Sequence, residues 1–291
     1  MSKPKILVQL DSDKHASVFD AVVAVDSGVD KLFQYNQVSG DDVEGLVHGA
    51  MFTRGPEDLH QTAVFVGGSN VSEGEKLLDA TRKCFFGPMR VSVMMDSNGS
   101  NTTAAAAVLA AARHVDLSGA KVLVLAGTGP VGLRAARLLA RKGAEVKLGS
   151  RSIERAQQAA ESVATQVESA KVVGVSTASD EETALVAADV DVMIAAGATG
   201  IQLISQAIWC HCENLKVLVD LNAVPPMGIE GIEMMDKAKE LEGRIVYGAI
   251  GVGGTKMKIH KAAIASLFES TGQILDAEEI YAIGEGLENG N

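Results

Sequence analysis

Apolar residues follow two alternating patterns along the chain. Short continuous apolar runs predict strands, and longer segments with an apolar residue at every third or fourth position predict helices. In the first third of the chain the predicted strands are 5–10, 62–66 and 91–95, and the predicted helices are 17–26, 41–49 and 71–85. This repeated alternation predicts an α/β fold with a mostly parallel sheet that helices cover.

The alternation continues beyond an alanine-rich predicted helix at 101–114 and a short linker at 115–120. The later predicted strands are 122–125, 145–149, 171–176, 191–196, 216–221 and 244–250, and the predicted helices between them are 131–142, 181–188 and 203–209. Glycines at 251–254 predict a turn, and helices are predicted at 255–270 and 277–283. We expect two α/β domains, one of residues 1–114 completed by 255–291 and one of residues 115–254.

A glycine motif opens the second predicted domain. An apolar strand ends in Gly127-x-Gly129-x-x-Gly132 and a helix follows directly, which is the context of a dinucleotide-binding loop in a Rossmann-type domain. Gly127 permits the tight turn, Gly129 admits a pyrophosphate, and Gly132 lets helix and strand pack closely. Pro130 suits the first helical position, and the helix start offers N–H groups to an anion. The predicted loop comprises Gly127, Thr128, Gly129, Pro130, Val131 and Gly132.

The residue after the next predicted strand indicates which cofactor binds. Dinucleotide folds that take NAD usually carry an acidic residue there, which holds the ribose 2′-hydroxyl. This chain has Ser150, Arg151 and Ser152 instead. A guanidinium can grip a 2′-phosphate through charge-assisted hydrogen bonds, so NADP is the expected cofactor. Ala196, Gly197 and Asn222, near the ends of two later strands, are further predicted cofactor contacts.

Composition and charge narrow the classes of partner. The 291 residues are 47% hydrophobic and 22% charged, as in a globular protein, and the formal net charge is −11. This charge argues against nucleic acid or an anionic membrane as the main partner, and any anionic ligand needs local basic residues. The sequence has no apolar stretch long enough for a membrane span and no signal-peptide pattern. Arg134, Arg137 and Arg141 are expected to form a solvated helix face.

The three cysteines predict neither a disulfide framework nor a metal site. Their number and spacing fit a reducing compartment, so a cytoplasmic location is expected. Cys210 and Cys212 are too close together for the usual zinc spacing, and Cys84 is the only other cysteine.

A second ligand site is predicted at the polar loop 96–103, between a strand end and a helix start. Ligands of open α/β sheets bind at this edge. Capping of the helix that follows explains some of these polar residues but not all of them. Phe19 and Asp20, in the first helix, either face the same crevice or are a core residue and a solvated residue; periodicity leaves both open.

Several segments resemble the NADP-dependent methylene-tetrahydromethanopterin dehydrogenases of methylotrophic bacteria. They occur in collinear order over nearly the whole chain. In the N-terminal part they are Ser17-Val-Phe-Asp20, Phe52-Thr-Arg-Gly55, Phe85-Phe-Gly-Pro88 and Asp96-Ser-Asn-Gly-Ser-Asn-Thr-Thr103. In the remainder they are Leu125-Ala-Gly-Thr-Gly-Pro-Val-Gly132, Asn222-Ala-Val-Pro-Pro-Met-Gly-Ile229, Gly251-Val-Gly-Gly-Thr-Lys-Met-Lys258 and Leu267-Phe-Glu-Ser270.

The resemblance implies that the first domain binds a pterin and the second binds NADP. The implied reaction moves a hydride from methylene-tetrahydromethanopterin to NADP and forms the methenyl cation during formaldehyde oxidation. Members of the family are homo-oligomers, and a trimer is one candidate state. The implied catalytic residues are Asp20, which would favour the developing cation, and Lys256, which would hydrogen-bond the pterin. Predicted substrate-binding residues are Phe19, Ser97, Asn98, Asn101, Thr102 and Thr103.

Three alternatives stay open from the sequence. The substrate could be methylene-tetrahydrofolate, although the Tyr-x-x-x-Lys helix that accompanies cyclohydrolase activity in that related family is absent. The chain could instead be a non-catalytic protein that senses NADP by domain closure. Lys256 could also be a solvated residue beside Lys258 and Lys261.

Overall fold

The computed structural model describes residues 3–290 and divides them into two compact units. The first unit comprises residues 3–102 and 257–290, and the second unit comprises residues 103–256. The first boundary therefore falls inside the alanine-rich helix rather than after it.

The described chain alternates strand and helix through most of its length. Its strands are β1 (Ile6–Leu10), β2 (Lys31–Tyr35), β3 (Thr62–Val66), β4 (Ser92–Met95), β5 (Lys121–Leu125), β6 (Glu145–Ser150), β7 (Lys171–Ser176), β8 (Val192–Ala195), β9 (Val217–Asp220), β10 (Lys237–Leu241), β11 (Arg244–Tyr247) and β12 (Ile274–Leu275). Its α-helices are α1 (Val18–Asp26), α2 (Gly40–Phe52), α3 (Val71–Lys83), α4 (Ser100–Ala112), α5 (Pro130–Arg141), α6 (Ile153–Gln166), α7 (Asp180–Ala187), α8 (Gln206–Trp209), α9 (Ala249–Ser266) and α10 (Ala277–Glu288).

The sheet of the first unit is parallel throughout, in the order β2-β1-β3-β4-β12. Its central strands are mostly apolar and have no exposed positions; Val64 and Val93, for example, are fully buried. Parallel strands are enclosed on both faces by the helices that connect them, which explains this pattern. The strand order reverses between β1 and β3, where an open α/β sheet forms its ligand crevice.

The sheet of the second unit has the order β10-β11-β9-β8-β5-β6-β7 and is parallel except for β10. Leu123, Met193 and Leu218 on its central strands are fully buried and share a core with Trp209. The order reverses between β5 and β8. The predicted Rossmann-type topology is thus present, and its switch point lies beside the glycine loop.

Four of the described strands and helices escaped the sequence prediction, namely β2, β10, β12 and α6. β2 is an edge strand whose residues are mostly exposed, so it lacks the continuous apolar run of a buried strand. α6 is an amphipathic helix with few apolar positions, of which Ala156, Ala160 and Val163 are buried. Small alanines give a weak periodic signal, although α6 packs on β6 and β7.

Two predictions were wrong. The glycines at 251–254 form no turn, because α9 runs through them from Ala249. A Cβ on Gly251 would overlap the backbone of Asp236, so this glycine allows the helix to pack closely. Arg134 is not part of a solvated face: it is 5% exposed, and its guanidinium donates to the carbonyl of Pro130 at 3.3 Å.

Two glycines of α9 should respond oppositely to the same substitution. We predict that Gly251→Ala lowers the free energy of unfolding by about 1–3 kcal/mol, because its Cβ meets fixed backbone. Gly254→Ala is the matched control: its Cβ would meet no atom within 4 Å, and alanine favours a helix by about 0.5–1 kcal/mol. Thermal and urea unfolding of both variants measure the difference; equal effects would contradict the packing explanation.

Candidate functional site

The glycine loop connects β5 to α5 at the switch point of the second sheet. The N–H of Gly127 donates to the carbonyl of Gly149 at 2.9 Å, which ties the loop to β6. A Cβ on Gly132 would lie 2.6 Å from the Cα of Gly127, so helix and loop are in direct backbone contact. At Gly129, in contrast, the nearest atom would be the Ala196 carbonyl oxygen at 4.0 Å. The middle glycine therefore faces open space, as a loop that receives a pyrophosphate requires.

The start of α5 is arranged for an anion. Gly129 is its N-cap without a side chain that could occupy the first N–H groups, and Pro130 holds the first helical position. Thr128 and Val131 are half-buried beside them. The exposed N–H groups and the helix dipole together favour a negative group at this point. Ala126, just before the loop, has a φ of 51°, a strained conformation for a residue other than glycine.

A cleft of about 530 Å³ extends from this loop along the carboxyl edge of β5, β6 and β7. Its walls are the segments that follow these strands and the segment after β8. The lining residues are Leu125, Ala126, Thr128, Ser150, Arg151, Ser152, Arg155, Thr177, Ala178, Ser179, Asp180, Thr183, Ala198, Ile201, Gln202 and Leu203.

The wall after β6 carries two arginines. Arg151 and Arg155 are both exposed and line the cleft, whereas Ser150 is buried. Ser152 is the N-cap of α6, and its hydroxyl oxygen accepts the N–H of Arg155 at 3.2 Å. The N-terminus of α6 and two guanidinium groups outweigh the carboxylate of Glu154 in the same turn, so this wall suits a phosphate. The sequence analysis missed Arg155, although its position four residues after Arg151 was the available signal.

The remaining predicted cofactor contacts lie after β8 and β9. Ala196 and Gly197 are half-buried, and Asn222 is buried. The Asn222 side chain accepts the N–H groups of Gly200 and Val224 and donates to the carbonyl of Pro226. It therefore ties the two loops together. Its direct contact with a cofactor stays a prediction.

Asp220, the last residue of β9, supports the loop that follows this strand. Its buried carboxylate accepts the N–H of Asn222 at 2.9 Å and of Ile229 at 2.7 Å. Burial raises the pKa of this carboxyl above its ordinary value, and the backbone donors oppose that rise. The carboxylate fixes the shape of the segment that follows β9.

The carboxyl edge of the first sheet contains two fully buried aspartates. Asp11 follows β1 and accepts the N–H groups of Asp13 and Ser17, at 2.9 and 3.0 Å. Asp96 follows β4 and accepts the N–H groups of Asn101 and Thr102 and the hydroxyl of Thr102. These bonds fix both carboxylates at the carboxyl edge of this sheet.

The predicted substrate loop 96–103 divides into inward and outward residues. Ser97, Asn101 and Thr102 are fully buried. Ser97 donates to the carbonyl of Gly67, and Asn101 donates to the carboxylate of Asp276. Asn98 is exposed with a φ of 54°, and Thr103 is half-buried. Asn98 therefore has the most accessible side chain of this set, while the buried members shape the loop.

Phe19 and Asp20 lie at the start of α1. Phe19 is 52% exposed, so it is not a core residue, and its ring centroid lies 6.2 Å from that of His260. Asp20 is half-buried. Burial raises the pKa of its carboxyl, a positive charge on His260 lowers it, and the negative charges of Asp96 and Asp11 raise it. Sequence periodicity gave no sign that His260 joins this group.

Lys256 is half-buried on α9 and is the last residue of the second unit.

Within residues 3–290, no group of three His, Cys, Asp or Glu side chains is placed to hold a metal ion. Among the helices of the same range, none has the length and apolarity that a membrane span requires.

Comparison with protein families matches both parts of the chain. Residues 18–98 match the N-terminal region of methylene-tetrahydromethanopterin dehydrogenase, and residues 114–228 match a putative NAD(P)-binding domain. The bifunctional protein MdtA of Methylorubrum extorquens is 46% identical over 287 residues, which are 98% of this chain and 99% of that protein. This chain belongs to the methylene-tetrahydromethanopterin dehydrogenase family. The NAD(P)-dependent methylenetetrahydromethanopterin dehydrogenase of the same organism is 31% identical, over 96% of this chain and 97% of that protein.

Solved structures agree on the fold. Quinate dehydrogenase of Corynebacterium glutamicum, in complex with NAD, has a TM-score of 0.54 at 17% identity, over 97% of this chain and 99% of that one. The 5-ketofructose reductase of Gluconobacter sp. strain CHM43 has a TM-score of 0.55 at 13% identity, over 98% and 99%. At these identities the likeness is one of architecture alone.

Two glycines of the loop should separate binding from folding. We predict that Gly129→Val abolishes dinucleotide binding and leaves the melting temperature near that of the unchanged protein, because the protein itself leaves room for a side chain there. Gly132→Ala should instead lower the melting temperature, since its Cβ would collide with Gly127. Calorimetric titration with NADP and thermal unfolding measure the two effects. Normal NADP affinity in Gly129→Val would contradict the proposed position of the pyrophosphate.

Proposed function

We propose that this protein catalyses reversible hydride transfer from methylene-tetrahydromethanopterin to NADP, which yields methenyl-tetrahydromethanopterin and NADPH. The full-length match to the family, at 46% identity to one relative, is the observation that carries this proposal. The glycine loop at the switch point of the second sheet supports it, because this loop has the shape that a dinucleotide needs.

NADP is the expected cofactor because of the charge along the cleft. The protein has a formal net charge of −11, so an anion binds only where basic side chains are concentrated. Arg151 stands where an NAD-specific protein usually carries an acid, and Arg155, in the first turn of α6, lines the same cleft. They would bind the 2′-phosphate, while the start of α5 would bind the pyrophosphate.

The reaction makes modest demands on acid–base groups. NADP supplies the hydride acceptor. Loss of the hydride leaves a cation that is delocalised over the two nitrogens flanking the methylene carbon, so no proton must be removed in that step. The protein therefore contributes orientation and electrostatic stabilisation rather than proton transfer.

On the pterin side we propose that the Asp20 carboxylate stabilises this developing cation. Phe19 and Asn98, both exposed near the same sheet edge, would contact the pterin, and Lys256 would hydrogen-bond it. Ser97, Asn101 and Thr102 would hold the loop in shape, because they are buried. Thr103 completes the predicted set.

We also propose a cytoplasmic homo-oligomer, with a trimer as the state to test. The family resemblance of the sequence supports this assembly, and the cysteine content supports a reducing compartment. Sedimentation of the purified protein distinguishes a monomer from a trimer.

Removal of the two cleft arginines should weaken NADP binding selectively. We predict that Arg151→Ala and Arg155→Ala each raise the KM for NADP by roughly 10- to 150-fold, because each loses a charge-assisted bond of about 1.5–3 kcal/mol. The KM for NAD should change little. Arg141→Ala, at the far end of α5, is the control and should resemble the unchanged enzyme. Equal losses with NADP and NAD would contradict the 2′-phosphate assignment.

The pterin residues should affect the other substrate. We predict that Asp20→Asn and Lys256→Ala lower kcat or raise the KM for the pterin, with rate losses up to about 100-fold from misplaced reacting groups. Their NADP affinity should stay near normal. Lys258→Ala, an exposed lysine two residues later, serves as control. Steady-state assays with both pterins and both cofactors measure these effects, and normal turnover in both variants would refute the site.

A further inference from the structure

His260 of α9 is a buried titratable residue to which the proposed reaction assigns no role. Its side chain is 1% exposed. The imidazole stacks on the ring of Phe65, with centroids 5.7 Å apart and an interplanar angle of 20°. The ring of Phe19 makes a tilted contact with the imidazole, with centroids 6.2 Å apart. The ring therefore has a fixed orientation between β3 and α1, beneath the carboxyl edge of the first sheet.

One buried carboxylate lies beside this ring, and a second carboxylate interacts with it electrostatically. The Nδ1 atom of His260 lies 4.0 Å from Oδ2 of Asp96, which is itself fully buried. Asp20 and Asp11 act electrostatically in the same region. Buried carboxylates repel one another and lose hydration, so they need hydrogen-bond donors or a positive charge close by. Asp96 and Asp11 accept backbone N–H donors, whereas the largest influence that lowers the pKa of Asp20 is the positive charge of His260, followed by the hydrogen bond from the Ser17 side chain.

We propose that His260 is a positioning residue whose imidazolium keeps the Asp20 carboxylate ionised and in place for the cation that forms on the pterin. The inference rests on the proposed function, because that function gives Asp20 its task. Histidine suits the role, since it can carry a proton near neutral pH. Its contact with Phe19, the residue before Asp20, also fixes the start of α1.

The charges on each neighbouring element define the expected pH behaviour. They are Asp20 on α1, Asp11 after β1 and Asp96 after β4, while β3 contributes the uncharged Phe65. On α9 itself, Lys256 precedes His260 by one turn, and Lys261 pairs with Asp26 at 2.8 Å. A positive charge beside a carboxyl lowers its pKa. Loss of that charge must therefore raise the pKa of Asp20 and leave less of it ionised at a given pH.

The test compares His260→Gln and His260→Phe with the unchanged enzyme. Glutamine keeps polarity without charge, and phenylalanine keeps the stacked ring. Lys261→Gln is the matched control, because it breaks a charge contact of the same helix outside the carboxylate group. Steady-state rates with methylene-tetrahydromethanopterin and NADP are measured from about pH 5 to about pH 9, together with NADP binding and thermal unfolding.

In both His260 variants we expect the acidic limb of the kcat/KM profile for the pterin to move upward by about 1–3 pH units. At a pH below the new limb, kcat/KM falls by about tenfold for each unit, while NADP affinity stays within about twofold. Lys261→Gln should retain the original limb. A uniform fall at every pH, without a shift of the limb, would show a packing role alone and overturn the inference.

An NMR measurement keeps the inference testable if the variants do not fold or the unchanged enzyme is inactive. The ¹⁵N shifts of the His260 ring in the unchanged protein distinguish imidazolium from neutral imidazole. The inference is supported if the ring is protonated near pH 7 in the unchanged protein and if it loses this proton at a lower pH in the Asp20→Asn variant than in the unchanged protein. A neutral ring at that pH overturns it. Inactivity of the unchanged enzyme with the pterin refutes the proposed function separately.

Discussion

The enclosure of both parallel sheets by helices is the constraint on which the rest of the structure depends. Strand interiors such as Val64 and Leu123 are fully buried, so they favour apolar side chains. Polar groups are tolerated where each strand ends and its chain turns toward a helix. Each sheet also reverses its strand order once, between β1 and β3 and between β5 and β8. The predicted ligand site of each unit therefore lies at the carboxyl edge of its sheet.

Charge is handled differently at the two edges. The second unit places Arg151, Arg155 and two helix N-termini around an open cleft, which counters the overall negative charge where an anion is expected. The first unit buries carboxylates instead and satisfies Asp11 and Asp96 with backbone N–H donors. One edge suits phosphates, and the other suits a cation. These are the two charges that a dinucleotide and an oxidised pterin bring.

Much of this arrangement was predictable from the chain itself. Central strand β3 begins and ends where the apolar run does, because burial on both faces favours apolar residues along its whole length. The glycine spacing from Gly127 to Gly132 predicted the loop, since each position has its own steric requirement. The prediction of Arg151 has a similar local basis, because this residue directly follows β6, where dinucleotide folds usually carry the residue that contacts the ribose. Edge strand β2 and alanine-rich α6 were missed, because weak burial leaves a weak pattern.

Tertiary structure alone decided which distant residues meet. His260 lies far along the chain from Asp20 and Asp96, and no spacing rule connects a helix near the C-terminus with the loops of the first sheet. It likewise decided that Gly251 belongs to a helix, since the reason is a neighbouring backbone at Asp236 rather than a turn. Sequence determines whatever depends on local sterics and strand burial. Contacts between remote segments depend on how the sheets and helices pack, so only the folded chain reveals them.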